Sequence, residues 1–276
     1  MIGRQVGVAV LLVFVSVVAA GPAVRADTVV DPTGAIQRQL VPGRGVKIVE
    51  RSRMYMFGEW SSVKPVRSVV EFGKSTIVAR DTKDPNLGLR GTRNLCIGKR
   101  NYQWDVKRDP EDRLPPGKSW VSFDDDLCPS RLVLKSGYVD LAHAATLNAV
   151  LATTTVRRPA GVYDGVGTTR YEGSITFAQL AKAKPGLRIS FRSKATGTYG
   201  DWKVSWRLWI GSDQLVRRAW SSWREPNDSL DRTAAEDPYY AFVDDLRLSD
   251  WGMKVHITPP PADQTVSSGE LHTMHD

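Results

Sequence analysis

The chain has 276 residues, 41% of them hydrophobic and 25% charged, and a formal net charge of +8. No segment after residue 20 is apolar for long enough to span a bilayer. The basic excess is mild and its signs are interspersed, as in Lys107-Arg108-Asp109 and Asp244-Asp245-Leu246-Arg247, which suits solubility and attraction to an anionic membrane or envelope surface; no nucleic-acid partner is expected, because helix-turn-helix, zinc and OB-type signatures are missing.

The chain opens on a targeting signal. Arg4 and the amino terminus supply positive charge, residues 6–20 are apolar apart from Gly7 and Ser16, and Val24-Arg25-Ala26 ends the run. Cleavage after Ala26 is the natural reading of a 1–26 signal peptide. The run would reach roughly 22 Å as a helix, short of a ~30 Å hydrocarbon core, which leaves an uncleaved anchor as the alternative. No cysteine stands near the cleavage point to accept a lipid, so the mature protein is expected to be soluble, exported and without a lipid anchor. Without Arg4 and Arg25, 36 basic and 30 acidic side chains leave +6.

Residues 27–265 read as one β-rich domain, since no Pro/Gly/Ser-rich linker separates two halves. Residues 35–40 form a short N-terminal helix that stops at Pro42-Gly43. Strands are predicted over 53–59, 66–80, 101–106, 119–124, 161–168, 171–177, 187–193, 202–210, 215–223, 240–249 and 254–257. In the second of these Val70, Phe72, Thr76 and Val78 face one way. Tyr171, Gly173, Ile175 and Phe177 share a face in the same manner. Residues 81–118 read as a loop, with turns at Asp84-Pro85-Asn86 and Leu114-Pro115-Pro116-Gly117. A helix over 141–151 takes Asp140 as its cap, and 176–182 reads as a strand end running into a second helix before Pro185-Gly186. The tail, 266–276, is expected to be disordered.

Two cysteines, Cys96 and Cys128, remain in the mature chain, and in an oxidising compartment a disulfide is favoured over two thiols.

Five of the nine tryptophans fall between Trp202 and Trp223, on two strands joined by Gly211-Ser212-Asp213-Gln214. Trp202, Val204, Trp206, Leu208 and Ile210 alternate with Lys203, Ser205 and Arg207, which makes one strand face continuously apolar. A four-residue loop pairs Ile210 with Leu215, Leu208 with Arg217, Trp206 with Ala219 and Trp202 with Trp223. It also sets Arg207 opposite Arg218 on an outward face, a like-charge pair that needs water or a carboxylate nearby.

The order of several motifs resembles a known family. Gly117-Lys118-Ser119-Trp120-Val121-Ser122-Phe123-Asp124 is followed by Asp164-Gly165-Val166-Gly167-Thr168-Thr169-Arg170-Tyr171-Glu172-Gly173-Ser174-Ile175, and then by Trp206-Arg207-Leu208-Trp209-Ile210 with Gln214-Leu215-Val216-Arg217-Arg218. Leu248-Ser249-Asp250-Trp251-Gly252, Val255-His256-Ile257 and Pro260-Pro261-Ala262-Asp263-Gln264 close the series. This order resembles the actinobacterial LppX/LprG-type envelope proteins, whose fold is similar to the lipoprotein carrier LolA. The likeness implies an α+β fold: a strongly bent antiparallel sheet, an incomplete barrel, with helices on its concave side and an apolar cavity between them. It also implies binding or carriage of lipids without catalysis. The lipobox cysteine of many relatives is missing, so membrane anchoring is not carried over, and the short N-terminal helix leaves two alternatives: a more open cavity, or one covered by the 81–118 segment and its disulfide.

Catalytic chemistry finds little support. His143 lies on a helix, His256 alternates with apolar residues, and His272 and His275 sit in the tail, so neither metal nor cofactor is expected. Asp124-Asp125-Asp126 lacks the glycine and alternating acids of a calcium loop, and the glycines at 161, 165 and 167 precede a strand rather than a helix. No Gly-x-Ser-x-Gly elbow occurs. The expected cavity lining is therefore the inner face: Val70, Phe72, Ile175, Phe177, Trp202, Trp206, Leu208 and Ile210. The favoured reading is a monomeric, exported, non-catalytic binder of a lipid or acylated molecule. An envelope stress-sensing or protein-interaction module is the alternative.

Overall fold

The computed structural model describes residues 31–56, 58–86, 92–104, 114–124, 128, 131–189, 197–226 and 239–275. The expected signal peptide, Asp125-Asp126 and the Asn227-Asp228-Ser229 sequon lie outside them.

Fifteen strands and four helices are described. The strands are β1 (Arg44–Met56), β2 (Glu59–Ser62), β3 (Val66–Gly73), β4 (Thr76–Asp84), β5 (Thr92–Ile97), β6 (Arg100–Trp104), β7 (Trp120–Asp124), β8 (Lys135–Ser136), β9 (Val139–Asp140), β10 (Thr154–Tyr163), β11 (Val166–Thr176), β12 (Lys203–Gly211), β13 (Val216–Pro226), β14 (Tyr239–Lys254) and β15 (Thr265–Ser267). The helices are α1 (Pro32–Gln39), α2 (Ala144–Leu151), α3 (Phe177–Ala183) and α4 (Ser268–His275). Thirteen strands form one open sheet in the order β10-β11-β12-β13-β14-β1-β3-β4-β5-β6-β7-β15, with β2 added to β1, while β8 and β9 pair separately. Every ladder is antiparallel except the last, where β15 runs parallel to β7. The expected α+β, bent and unclosed sheet is present.

The sheet has an inner face, covered by helices, and an outer face. Between β1 and β14 the register slips at Gly45/Lys47, leaving Asp250-Trp251-Gly252 as a bulge with positive φ at Asp250 and Gly252. Such bulges sharpen local twist. The Trp251 ring lies 6.0 Å from Phe72, and its Nε1 donates to the Val216 carbonyl at 2.9 Å. The Trp-Gly pair of the motif order thus ties three strands together.

Several expectations change. Residues 66–80 are two strands, not one: Ser75 turns the chain at φ 59°, so Ile77 and Ala79 are buried and Val78, expected beside Phe72, is exposed. The predicted 161–168 strand straddles a turn at Asp164-Gly165, both with positive φ, between β10 and β11. The 81–118 loop contains the end of β4 and all of β5 and β6, whose outer side chains Leu95 and Tyr102 form a small core with Trp120 of β7, Ile97 and Ile257. Residues 255–257 leave the ladder and lie over that core. Residues 187–189 form no extended strand either. Along the tail, β15 and α4 replace the expected disorder because Val266 and Leu271 bury themselves against Val121.

The tryptophan hairpin is present in a different register. Gly211 belongs to β12, and a three-residue turn closes with Gln214 at φ 65°. A further irregularity then bulges Arg217, so Leu208 faces Ala219, Trp206 faces Ser221 and Arg207 faces Trp220. The Arg207–Arg218 clash does not arise.

Candidate functional site

The inner face divides into two regions. Over β11 to β14 it is sealed by α1, α2, α3 and the β8–β9 hairpin. Thr176 caps α3 in a capping box with Gln179, which turns the chain abruptly from β11 and makes Phe177 the first helical residue rather than a strand residue. His143, not Asp140, caps α2 by accepting from Thr146 N at 3.3 Å, while Asp140 accepts from Ala142 N and His143 N one turn earlier. The polar side chain before the helix was the right signal, displaced by three residues. Trp206 Nε1 donates to Thr153 Oγ1 at 3.1 Å, just beyond α2. Gly173 makes this approach possible, for a Cβ there would strike the Thr153 carbonyl and the Trp206 ring.

Of the eight residues expected to line a cavity, seven are packed here. Val70, Phe72, Phe177 and Leu208 are 0% exposed, Ile175 and Trp206 1%, and Ile210 3%. None of the seven borders any of the cavities described below. Trp202 is separate. It precedes β12, is half-buried, meets Tyr199 edge-on at 5.1 Å and borders a cleft of about 570 Å³ with Trp60, Trp223 and Ala241.

Over β4 to β6 the same face is polar and open. A cavity of about 470 Å³ is lined by Arg80, Thr82, Asn94, Cys96, Gln103 and Arg131. A second, of about 300 Å³, shares Arg80 and Arg131 and adds Ile48, Glu50, Val133, Lys135 and Leu246. Their common wall is built by a strap. Cys96 on β5 is disulfide-bonded to Cys128, with Cα atoms 5.4 Å apart, which pins the chain ahead of Arg131 against the sheet. Farther along, Ser136 Oγ lies 3.0 Å from Ser221 Oγ and Gly137 N donates to Asp244 Oδ2 at 2.9 Å. Arg80 Nη1 donates to the Arg131 carbonyl at 3.2 Å, and Nη2 stands 3.5 Å from Glu50 Oε2. Burial raises the Glu50 pKa against the pull of Arg80, and burial likewise raises that of Asp244. Sequence reading missed Arg80 because an arginine inside a predicted strand reads as a solvent-facing residue; its even spacing from Val70 was the available signal.

At the seam of the two regions, Tyr138 stands edge-on to Phe177 at 4.9 Å and to Trp223 at 5.5 Å, and its hydroxyl donates to the Ile189 carbonyl or to Glu225 Oε1. Burial, reinforced by the Glu225 charge, holds its pKa well above the usual phenol range.

The outer face carries one cross-strand row whose successive members are Arg158, Arg170, Trp209, Arg218, Arg247, Val49, Arg67, Lys83, Arg93, Trp104 and Trp120. At its β10–β14 end carboxylates are interleaved with the cations: Glu172 meets Arg158, Arg170 and Arg207, and Asp245 meets Arg218 in a two-point pair. The β3–β7 end borders a cleft of about 680 Å³.

No group of three His, Cys, Asp or Glu side chains that could hold a metal comes together among the described residues. His256 lies 3.3 Å from Glu71, which also accepts from Ile257 N. No described helix is long and apolar enough to cross a membrane.

No family model matches the sequence, and no curated protein is similar to it. The structure is similar to LprF from Mycobacterium bovis, at 17% identity and a TM-score of 0.42 over 83% of this chain and 98% of that one. It is also similar to a LolA superfamily protein from Nitrosomonas europaea, at 15% identity and a TM-score of 0.25 over 83% and 94%.

Proposed function

We propose that this is an exported, non-catalytic protein that binds or carries a lipid or other amphiphile on the inner side of its bent sheet, as a monomer and without a lipid anchor of its own. One observation carries the reading: the helices cover only part of the inner face, and two adjoining cavities of about 470 and 300 Å³ remain beside Ile48, Val133 and Leu246. Each falls within the ~300–1,000 Å³ typical of small-molecule sites. The apolar wall suits a chain, and Arg80, Arg131, Asn94 and Gln103 suit a polar head. The motif resemblance supports the same class of ligand.

The test is to purify the mature protein from its native host and extract it for lipid mass spectrometry, then titrate the delipidated protein with a fluorescent fatty acid. Co-purified lipid and saturable uptake that Val133→Trp and Leu246→Phe reduce are the expected results. An extract free of lipid together with no uptake would overturn the proposal. An envelope protein-interaction module is the second reading, favoured by exposed aromatic rings such as Trp60 at 47% and Trp104 at 38%.

A further inference from the structure

The outer-face cleft at the β3–β7 end meets the inner cavities only at Asp84, and its lining combines two kinds of group. Arg67, Lys83, Arg93, Trp104 and Trp120 stand on five successive strands in direct register, so each lies beside the next at roughly 4.8 Å. The row runs from cations to rings over roughly 19 Å by that spacing. Pro85, Ser119 and Gln264 complete the cleft.

Charge bookkeeping favours an anion. Arg93 gives Nε and Nη2 to Asp81 at 3.0 and 2.7 Å while its guanidinium carbon sits 5.7 Å from the Trp120 ring centre. Asp84, also on the rim, accepts from Asn86 N and Asn86 Nδ2. Arg67 and Lys83 are exposed, and among the described residues no carboxylate pairs with either. Arg67, Lys83 and Arg93 thus outnumber Asp81 and Asp84 by one positive charge around the cleft, and the two unpaired cations face it.

Shape and chemistry select the kind of anion. An acyl chain gains most where it is enclosed, as on the inner side, whereas this cleft lies on the outside of the sheet with Trp104 more than a third exposed. A flat indole face next to hydroxyl, amide and cationic groups matches a pyranose ring, whose C–H face packs on the indole while its hydroxyls stay wet. We propose that the cleft binds an acidic saccharide, with a sugar ring on Trp104 and the carboxylates of following rings along Lys83 and Arg67. The site would hold the protein to an acidic envelope glycan while its inner side remains free for cargo.

Tetragalacturonate, with a carboxylate on every ring, is the probe, and maltotetraose is its neutral counterpart. Calorimetry on the mature protein should show saturable tetragalacturonate binding that weakens about tenfold between low and physiological salt, with maltotetraose at least about tenfold weaker. Trp104→Ala and the double variant Arg67→Gln/Lys83→Gln should each lose about tenfold or more in affinity, with unchanged far-ultraviolet circular dichroism and unchanged fatty-acid uptake. The double variant should also flatten the salt dependence. No tetragalacturonate binding, equal binding of maltotetraose, or folded variants that bind as tightly as the parent would each overturn the proposal. So would capture by phosphatidylglycerol vesicles without tetragalacturonate binding, which would make the face a membrane contact.

Discussion

The inner face of one continuous sheet is dry at one end and polar at the other. Over β11 to β14 Trp206, Leu208 and Ile175 are packed to completion under three helices, while over β4 to β6 the equivalent pleats carry Arg80, Thr82, Asn94 and Gln103 and leave open space. The strand period is identical in both regions, so backbone geometry does not decide the outcome. The difference lies in what covers each region. Apolar helices can exclude water from an apolar face, whereas a strap held by a disulfide and a few hydrogen bonds can cross a polar face without filling it. One end therefore supplies stability, and the other supplies room for a ligand.

The sharpest way to break this comparison is to cut into the dry end. Trp206→Ala removes a 1%-exposed ring and its hydrogen bond to Thr153, and should destabilise the protein by about 3–5 kcal/mol in urea unfolding. If fatty-acid uptake by the still-folded variant is unchanged, the dry end is core alone. A large gain in uptake with little loss of stability would mean that the ring guards a ligand path.

Next in size is the strap. Replacing Cys96 and Cys128 by Ser releases a closure across 32 positions, for which loop entropy gives roughly 3–4 kcal/mol. Global stability should fall by no more than that, and limited proteolysis should cut first around residues 128–135. Early cleavage in α2 or α3 instead would show that the disulfide supports the core and not the cavity.

The dry end was far more legible in sequence than the open one. Period-two alternation announced the hairpin, since Trp206, Leu208 and Ile210 have a single apolar side to choose. Its register was not legible, because Gln214 adopts a positive φ that leaves no mark in composition, and the bulge at Arg217 then moves every pair beyond it. At the open end β5 was read as loop. Its inner residues, Asn94 and Cys96, face a polar cavity, while Leu95 finds apolar partners only in Tyr102, Trp120 and the distant Ile257. A strand whose two faces meet different environments loses the contrast on which pattern reading depends. Of the expected site, the disulfide was legible from the compartment alone. Arg80 was not, because burying an arginine requires Glu50 from another strand.

Tyr138 joins the two regions, and its loss should be smaller. Tyr138→Phe keeps the ring against Phe177 and Trp223 but removes the hydroxyl from Glu225 and Ile189, for an expected loss of about 1–2 kcal/mol. The pH dependence has a definite sign. The unfolded phenol ionises near 10, whereas the folded one retains its proton beyond that range. The unfolded state therefore releases its proton first, and native stability declines as pH rises above about 10. Unfolding curves at several alkaline pH values should show this decline in the parent and a shallower one in Tyr138→Phe; equal slopes would mean that the hydroxyl is solvated.

The smallest effect should come from the outer surface above the dry end. Arg207 stacks 4.4 Å above the Trp220 ring and meets Glu172 at 3.1 Å, yet its side chain is 45% exposed. Arg158 and Arg170 also reach Glu172, so Arg207→Ala leaves no carboxylate without a cation. A loss of about 0.5–1 kcal/mol is expected, arising mostly from the exposed stack. High salt should leave most of that difference in place, because an attraction to the ring face at contact is screened less than a separated ion pair. A loss of several kcal/mol would instead make this row part of the dry end's core, and the division between packed and open regions would then extend through the sheet rather than belong to its inner face.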